Sequence, residues 1–254
     1  MKTYLGRHIF GVAAIVFGIL TLVWHPFNAF QQSNSFGKIP SREPLIYIAA
    51  VAEIFGGLAM QSSKTARAGA IALGGTLLVF SLSWIPGILA GPKVYNNWNT
   101  FFEPFSQAAG AIIVCAMTGR SGSERCAKMA QFGYISFGIC VISFTLEQIF
   151  YLANTASLVP KWLPPGQMFW AVTTTIAFAL AAIALLVGYM SLLASRLLTA
   201  MFVGFLFLVW VPMCLAHPHS VLNWSETLET LSIAGAAWII ADYLSQKQSA
   251  SRTA

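Results

Sequence analysis

Residues 166–189 read GQMFWAVTTTIAFALAAIALLVGY, without one charged side chain. At a rise of about 1.5 Å per residue, a helix of that length crosses the roughly 30 Å hydrocarbon core of a bilayer. The rest of the chain repeats the theme. Of its 254 residues 57% are hydrophobic and only 9% charged, and the mean hydropathy is +0.71. A soluble domain carries about 25% charged residues, so lipid must be the solvent for most of this polypeptide. Apolar runs separated by polar punctuation fall at 8–25, 44–62, 67–90, 100–118, 131–153, 166–189, 195–215 and 225–244. They predict an all-α, polytopic transmembrane helix bundle of eight spans.

The chain also resembles itself. Shifted by 126 positions, Trp84-Ile-Pro-Gly-Ile-Leu-Ala-Gly-Pro92 lies over Trp210-Val-Pro-Met-Cys-Leu-Ala-His-Pro218. In the same register Asn97-Trp98 lies over Asn223-Trp224, Glu103 over Glu229 and Ser106 over Ser232. Apolar bias accounts for matched Leu and Ala, but not for two Trp, two Pro, an Asn and a Glu in one register. Near the starts of the halves, Gly6, Phe10, Gly11 and Phe17 stand 127 positions before Gly133, Phe137, Gly138 and Phe144. The expected organisation is a four-helix repeat over 1–118, a cytoplasmic linker over 119–130 and a second repeat over 131–254. Four spans per repeat leave both copies facing the same way, with their two-fold axis along the membrane normal.

Basic residues set the orientation. Lys2, Arg7, Lys64, Arg67, Arg120, Arg125, Lys128, Arg196, Lys247 and Arg252 fall at the termini and the even loops. The odd loops hold only Lys38, Arg42, Lys93 and Lys161. The excess places both termini in the cytoplasm. Net charge is +6, but the basic residues are scattered singly between apolar runs. That pattern argues for topology signals and against a nucleic-acid partner. The basic N-terminus ahead of an apolar run has no small-residue cleavage site near Trp24-His25-Pro26, so it reads as an uncleaved first span.

Two carboxylates interrupt the spans. Glu53 sits about 14 Å in from the outer end of the second span at 1.5 Å per residue, on one face with Ala49 and Gly57. Small residues at that spacing mark close helix contacts, which turns Glu53 into the bundle. Cys140, Ser143, Glu147 and Tyr151 form one polar stripe on the fifth span. A charge at mid-membrane costs at least about 2.5–3.5 kcal/mol, so each acid must be hydrogen-bonded, paired or protonated. Each is a candidate ligand-binding group or a packing device, with packing the stronger reading for Glu147. Glu103 and Glu229, with Trp98 and Trp224, occupy the repeated outer segment. There the architectural reading has Trp in the interfacial belt and Asn and Glu capping the next helix. The functional reading folds both loops inward, with the two Glu at the mouth of a shared pocket.

His25, His217 and His219 share that outer surface, whereas His8 lies at the cytoplasmic end. None is central in a span, so no bis-His haem site is expected. Cys115, Cys126, Cys140 and Cys214 form no ligand motif, so no metal site is expected. No nucleophile-elbow, P-loop, dinucleotide or zinc-protease motif occurs, and catalytic residues are unknown.

The glycine-rich first span from Gly6 to Leu20 resembles DoxX-like membrane proteins. So do Ala52-Glu53-Ile-Phe-Gly-Gly-Leu58, Arg67-Ala-Gly-Ala70, Pro164-Pro-Gly-Gln-Met-Phe-Trp170 and Ser195-Arg196-Leu-Leu198. The resemblance implies a fused pair of four-helix units in a bacterial inner membrane. It further implies a quinone-linked subunit of a membrane oxidoreductase system, with Glu53 lining a quinone- or lipid-like pocket and a partner protein supplying electrons. A non-catalytic scaffold and a small-solute or proton transporter remain alternatives. A quinone site predicts a flat apolar pocket beside Glu53, a transporter predicts a polar path to both faces, and a scaffold predicts neither.

Overall fold

The computed structural model describes residues 4–24, 42–119 and 123–253. In chain order the helices are α1 (Leu5–Trp24), α2 (Arg42–Met60), α3 (Ala66–Leu82), α4 (Ile85–Ala90), α5 (Tyr95–Met117), α6 (Glu124–Phe150), α7 (Leu152–Leu158), α8 (Gln167–Val187), α9 (Ser191–Phe205), α10 (Val211–Ala216) and α11 (Val221–Thr253). A π-helical turn, Leu206–Trp210, joins α9 to α10, and no strand occurs among the described residues. The expected all-α class holds. Helix α6 starts at Glu124, so most of the stretch expected as linker is helix instead.

The surface explains why lipid is the solvent. Ile48, Phe55, Val187 and Leu215 are 64–78% exposed, a density of outward apolar side chains that water would not tolerate. Among the described residues, six helical segments are long and apolar enough to cross a membrane: Leu5–Trp24, Ala66–Ala90, Tyr95–Met117, Glu124–Phe150, Gln167–Val187 and Ser191–Ala216. By that measure the expected count of eight is corrected. The apolar part of α2 is only Pro44–Met60, shorter than a typical span of about 20 residues. Helix α11 carries Glu226, Glu229 and Asp242 within the expected 225–244 run, too many acids for a lipid-facing span. The bundle itself shields this helix: α11 packs on α1, α5 and α9.

Neighbours follow a regular pattern. Helix α1 packs on α2, α2 on α3 and α3 on α5; likewise α6 packs on α8, α8 on α9 and α9 on α11. The two sets meet where α5 packs on α6, α11 on α1, and α5 on α11. Side chains repeat the pattern. A Cβ on Gly6 would lie 2.6 Å from Ile239 N, and one on Gly133 would lie 2.9 Å from Ile113 Cγ1. At the α5–α11 crossing, Gly110 faces Ala236, the residue 126 positions later, with a Cβ there only 2.8 Å from that of Ala236. Gly6 against Ile239, together with Trp24 ring to ring with Trp224 at 6.4 Å, makes α1 and α11 antiparallel. The two chain ends therefore lie at the same end of the bundle.

Candidate functional site

At the opposite end, the repeated segment folds the same way twice. The Asn97 amide donates to the carbonyls of Gly87 (3.2 Å) and Gly91 (3.1 Å), and the Asn223 amide donates to that of Met213 (3.1 Å). The indole N–H groups of Trp98 and Trp224 donate to Pro92 O and Pro218 O, each at 3.0 Å. The capping expectation is thus corrected. These amides do not serve N–H groups of their own helices; they close the carbonyl ends of α4 and α10, where four acceptors lack intrahelical donors. Trp98 and Trp224 tie loops together, and neither lines the cavity described next. Trp170 makes the same bond to Pro164 O at 2.9 Å.

Beneath these loops lies a cavity of about 770 Å³, walled by α5, α6, α7, α8, α9, the π-helical turn, α10 and α11. A π turn inserts one extra residue per turn and re-aims the side chains that follow. Here it turns Leu208, Val209 and Trp210 onto the cavity wall. One side is aromatic: Phe144, Phe178, Phe202 and Phe205 form an edge-to-face cluster with centroids 5.5–6.3 Å apart. The other side is acidic, with Glu103, Glu147, Glu226 and Glu229 all lining the space and no Lys, Arg or His among the lining residues. Glu103 interacts electrostatically with the other three. Acids so grouped cannot all be ionised in a low-dielectric site without a cation or shared protons between them.

Hydrogen bonds fix this polar wall. Asn99 Nδ2 donates to Glu103 Oε1 at 2.8 Å, and Ser143 Oγ donates to Asn99 Oδ1 at 3.5 Å. Tyr95 OH donates in turn to Ser143 Oγ at 3.1 Å. Gln107 Nε2 reaches Glu229 Oε1 at 3.5 Å. The Thr174 and Thr175 hydroxyls lie 3.3 and 2.9 Å from Gln148 Oε1. Both hydroxyls also lie within hydrogen-bond reach of α8 carbonyls, those of Trp170 and Ala171 for Thr174 and that of Ala171 for Thr175. Glu147 Oε2 has no hydrogen-bond partner.

The structure brings Glu103, Glu229 and Glu147 to one cavity. It does not bring Glu53 to them. Glu53 is 4% exposed and borders a separate void of about 30 Å³ with Gln107, Glu229 and Ser232. The flat apolar pocket expected beside Glu53 is a closed aromatic core instead, because Phe10, Leu73, Leu77 and Phe80 fill that region. His25 lies outside the described residues. Sequence reasoning missed Glu226 and Gln148. Glu226 stands one helical turn before Glu229 on the same face, a signal that its position in a presumed cap concealed. Gln148 was hidden because an amide next to a carboxylate has no motif. No group of three or more His, Cys, Asp or Glu able to hold a metal ion occurs among the described residues. No family model matches the chain, and no curated protein or solved structure matches it either.

Proposed function

We propose that the chain is a multi-pass protein of the cell membrane, with both termini cytoplasmic, that binds a quinone-like molecule in the cavity of its second half. The observation carrying this reading is the 770 Å³ space with a phenylalanine cluster on one side and carboxyl and amide groups on the other. A ring stacks against aromatic faces. Ring oxygens need hydrogen-bond partners, and one that also exchanges protons: Glu147, with its unpartnered oxygen, can exchange them, and Gln148 lines the same wall as a neutral hydrogen-bonding group. No cofactor motif in the sequence supplies electrons, so a redox partner does. The orientation rests on the excess of Lys and Arg at the termini and even loops of the sequence.

We further read the chain as a tandem duplication of one four-helix unit. Its support is the repetition of the same hydrogen bonds 126 residues apart, Trp98 to Pro92 and Trp224 to Pro218 among them. Facing of Gly110 and Ala236 puts equivalent residues on the axis of the pair.

The scaffold reading has one observation in its favour. A lipid-facing groove between α2 and α3 is floored by Ala52, Gly56, Ala59, Ala68, Gly69 and Ala72, the small-residue pattern that lets a further helix approach. Transport ranks below both, since the large cavity runs from the loop end only as far as mid-helix residues such as Phe178 and Phe202.

Native mass spectrometry of the full chain extracted with its own lipids tests the quinone reading. The expected result is a retained quinone mass that disappears in Thr174→Trp, which fills the cavity. Protein masses with phospholipid alone, or a quinone retained equally by Thr174→Trp, would remove it.

A further inference from the structure

The acid that the cavity does not use is the most informative. Glu53 is 4% exposed, and its Oε2 finds no hydrogen-bond partner on any packed helix. A carboxyl group that fixed helix packing would hold such a bond. What Glu53 borders instead is a void of about 30 Å³. A site needs roughly 10–15 Å³ and two to four polar partners to hold a water. The void meets both conditions, with Glu53 on α2, Gln107 on α5, and Glu229 and Ser232 on α11 around it. The remaining wall is apolar, with Phe10 and Phe17 of α1 and Leu73, Leu77 and Phe80 of α3 in it, so among the described residues no cation lines the void beside Glu53.

Glu229 lines both spaces. It is the one carboxylate with a face on the first half's void and a face on the second half's cavity, and Gln107 donates to it. We propose that Glu53 is a proton-exchanging group, joined through water held in this void to Glu229 and so to the acids of the large cavity. The step balances simply. Glu53, as a carboxylic acid, gives its proton to the water; the water passes one of its own to the Glu229 carboxylate. Glu53 becomes the carboxylate and Glu229 the acid, and no electron moves. The first half then serves as a proton store for chemistry in the second, which explains an acid retained in an otherwise packed core. The inference does not depend on which molecule the large cavity holds.

Infrared spectroscopy of the full chain in lipid nanodiscs, switched from H₂O to D₂O without added ligand, tests this. The carboxylic-acid C=O band of Glu53 is the one lost in Glu53→Gln. It should shift within seconds of the switch, although the residue is buried. Gln107→Leu, which lines the void with methyls, should slow that shift at least about tenfold, because exchange then waits for local opening of the bundle. Glu229→Gln, which keeps the volume, should slow it as well and serves should Gln107→Leu fail to fold. Three results overturn the proposal: no acid band lost in Glu53→Gln, a band that exchanges as slowly as core backbone amides, or a rate untouched by a folded Gln107→Leu or Glu229→Gln. The measurement contains no quinone, so its failure leaves the quinone reading standing, and the reverse holds too.

Discussion

The two halves of this chain start from matching sequences, yet one is solid and the other hollow. Where α1 meets α2, glycine faces glycine: a Cβ on Gly11 would lie 2.8 Å from Gly57 O. The matching glycine of α6, Gly138, faces a leucine on α8, and a Cβ there would lie 2.8 Å from Leu186 Cδ2. Backbone and the Gln61 amide crowd Gly11 at the first contact, whereas the Leu186 side chain crowds Gly138 at the second. Leu20 and Thr21 in α1 give way, 127 positions on, to Glu147 and Gln148 in α6, both on the cavity wall. Close glycine contacts let Phe10, Leu73 and Phe80 fill the first half, at 1–2% exposure. The second half keeps its phenylalanines as one wall of an open space. In lipid, where apolar burial gives no net driving force, such packing decides which helices associate.

The contrast can be broken most sharply in the core. Phe10→Ala should cost about 3–5 kcal/mol, the range for a buried phenylalanine. Phe205→Ala, which enlarges an existing cavity, should cost less than half of that. Thermal unfolding of the detergent-solubilised protein reads both, and equal losses would mean that the halves are equally packed. Next comes the glycine crossing. Gly57→Leu should destabilise by about 1–3 kcal/mol or more through overpacking. Gly204→Leu, with nothing within 4 Å of its Cβ, should stay within about 0.5 kcal/mol of wild type. A tolerated Gly57→Leu would sink the argument that close glycine contact seals the first half.

The likeness of the halves is sharpened at their loops. Trp98→Phe and Trp224→Phe each remove one indole-to-proline-carbonyl bond of 3.0 Å. Each should lose about 1 kcal/mol, and by the same amount within error. Unequal losses would show that the matching bonds carry different loads. The smallest effect is expected at the lipid-facing groove. Ala72→Leu, at an exposed position of the groove, should leave unfolding nearly unchanged. If the groove docks a partner helix, the same substitution should weaken co-purification of that partner.

Composition alone determined that lipid surrounds this protein, because 9% charged residues cannot cover a water-facing surface. The 126-residue register of Trp, Pro, Asn and Glu fixed which loops would fold alike, and in the structure they make the same bonds. Side-chain chemistry also singled out Glu103, Glu147 and Glu229 as acids to be accounted for. Which acids share a space is a different kind of fact. Glu53 is the deepest carboxylate by sequence position, yet it lies outside the large cavity, while Glu226, unremarkable at a helix start, lies inside it. A helix face and a depth can be read from spacing, but the gap between two helices depends on the pair of residues that touch across it. Gly57 stands one helical turn from Glu53, yet only the packed structure reveals that it meets Gly11 across the α1–α2 contact, whereas Leu186 meets Gly138 across α6 and α8.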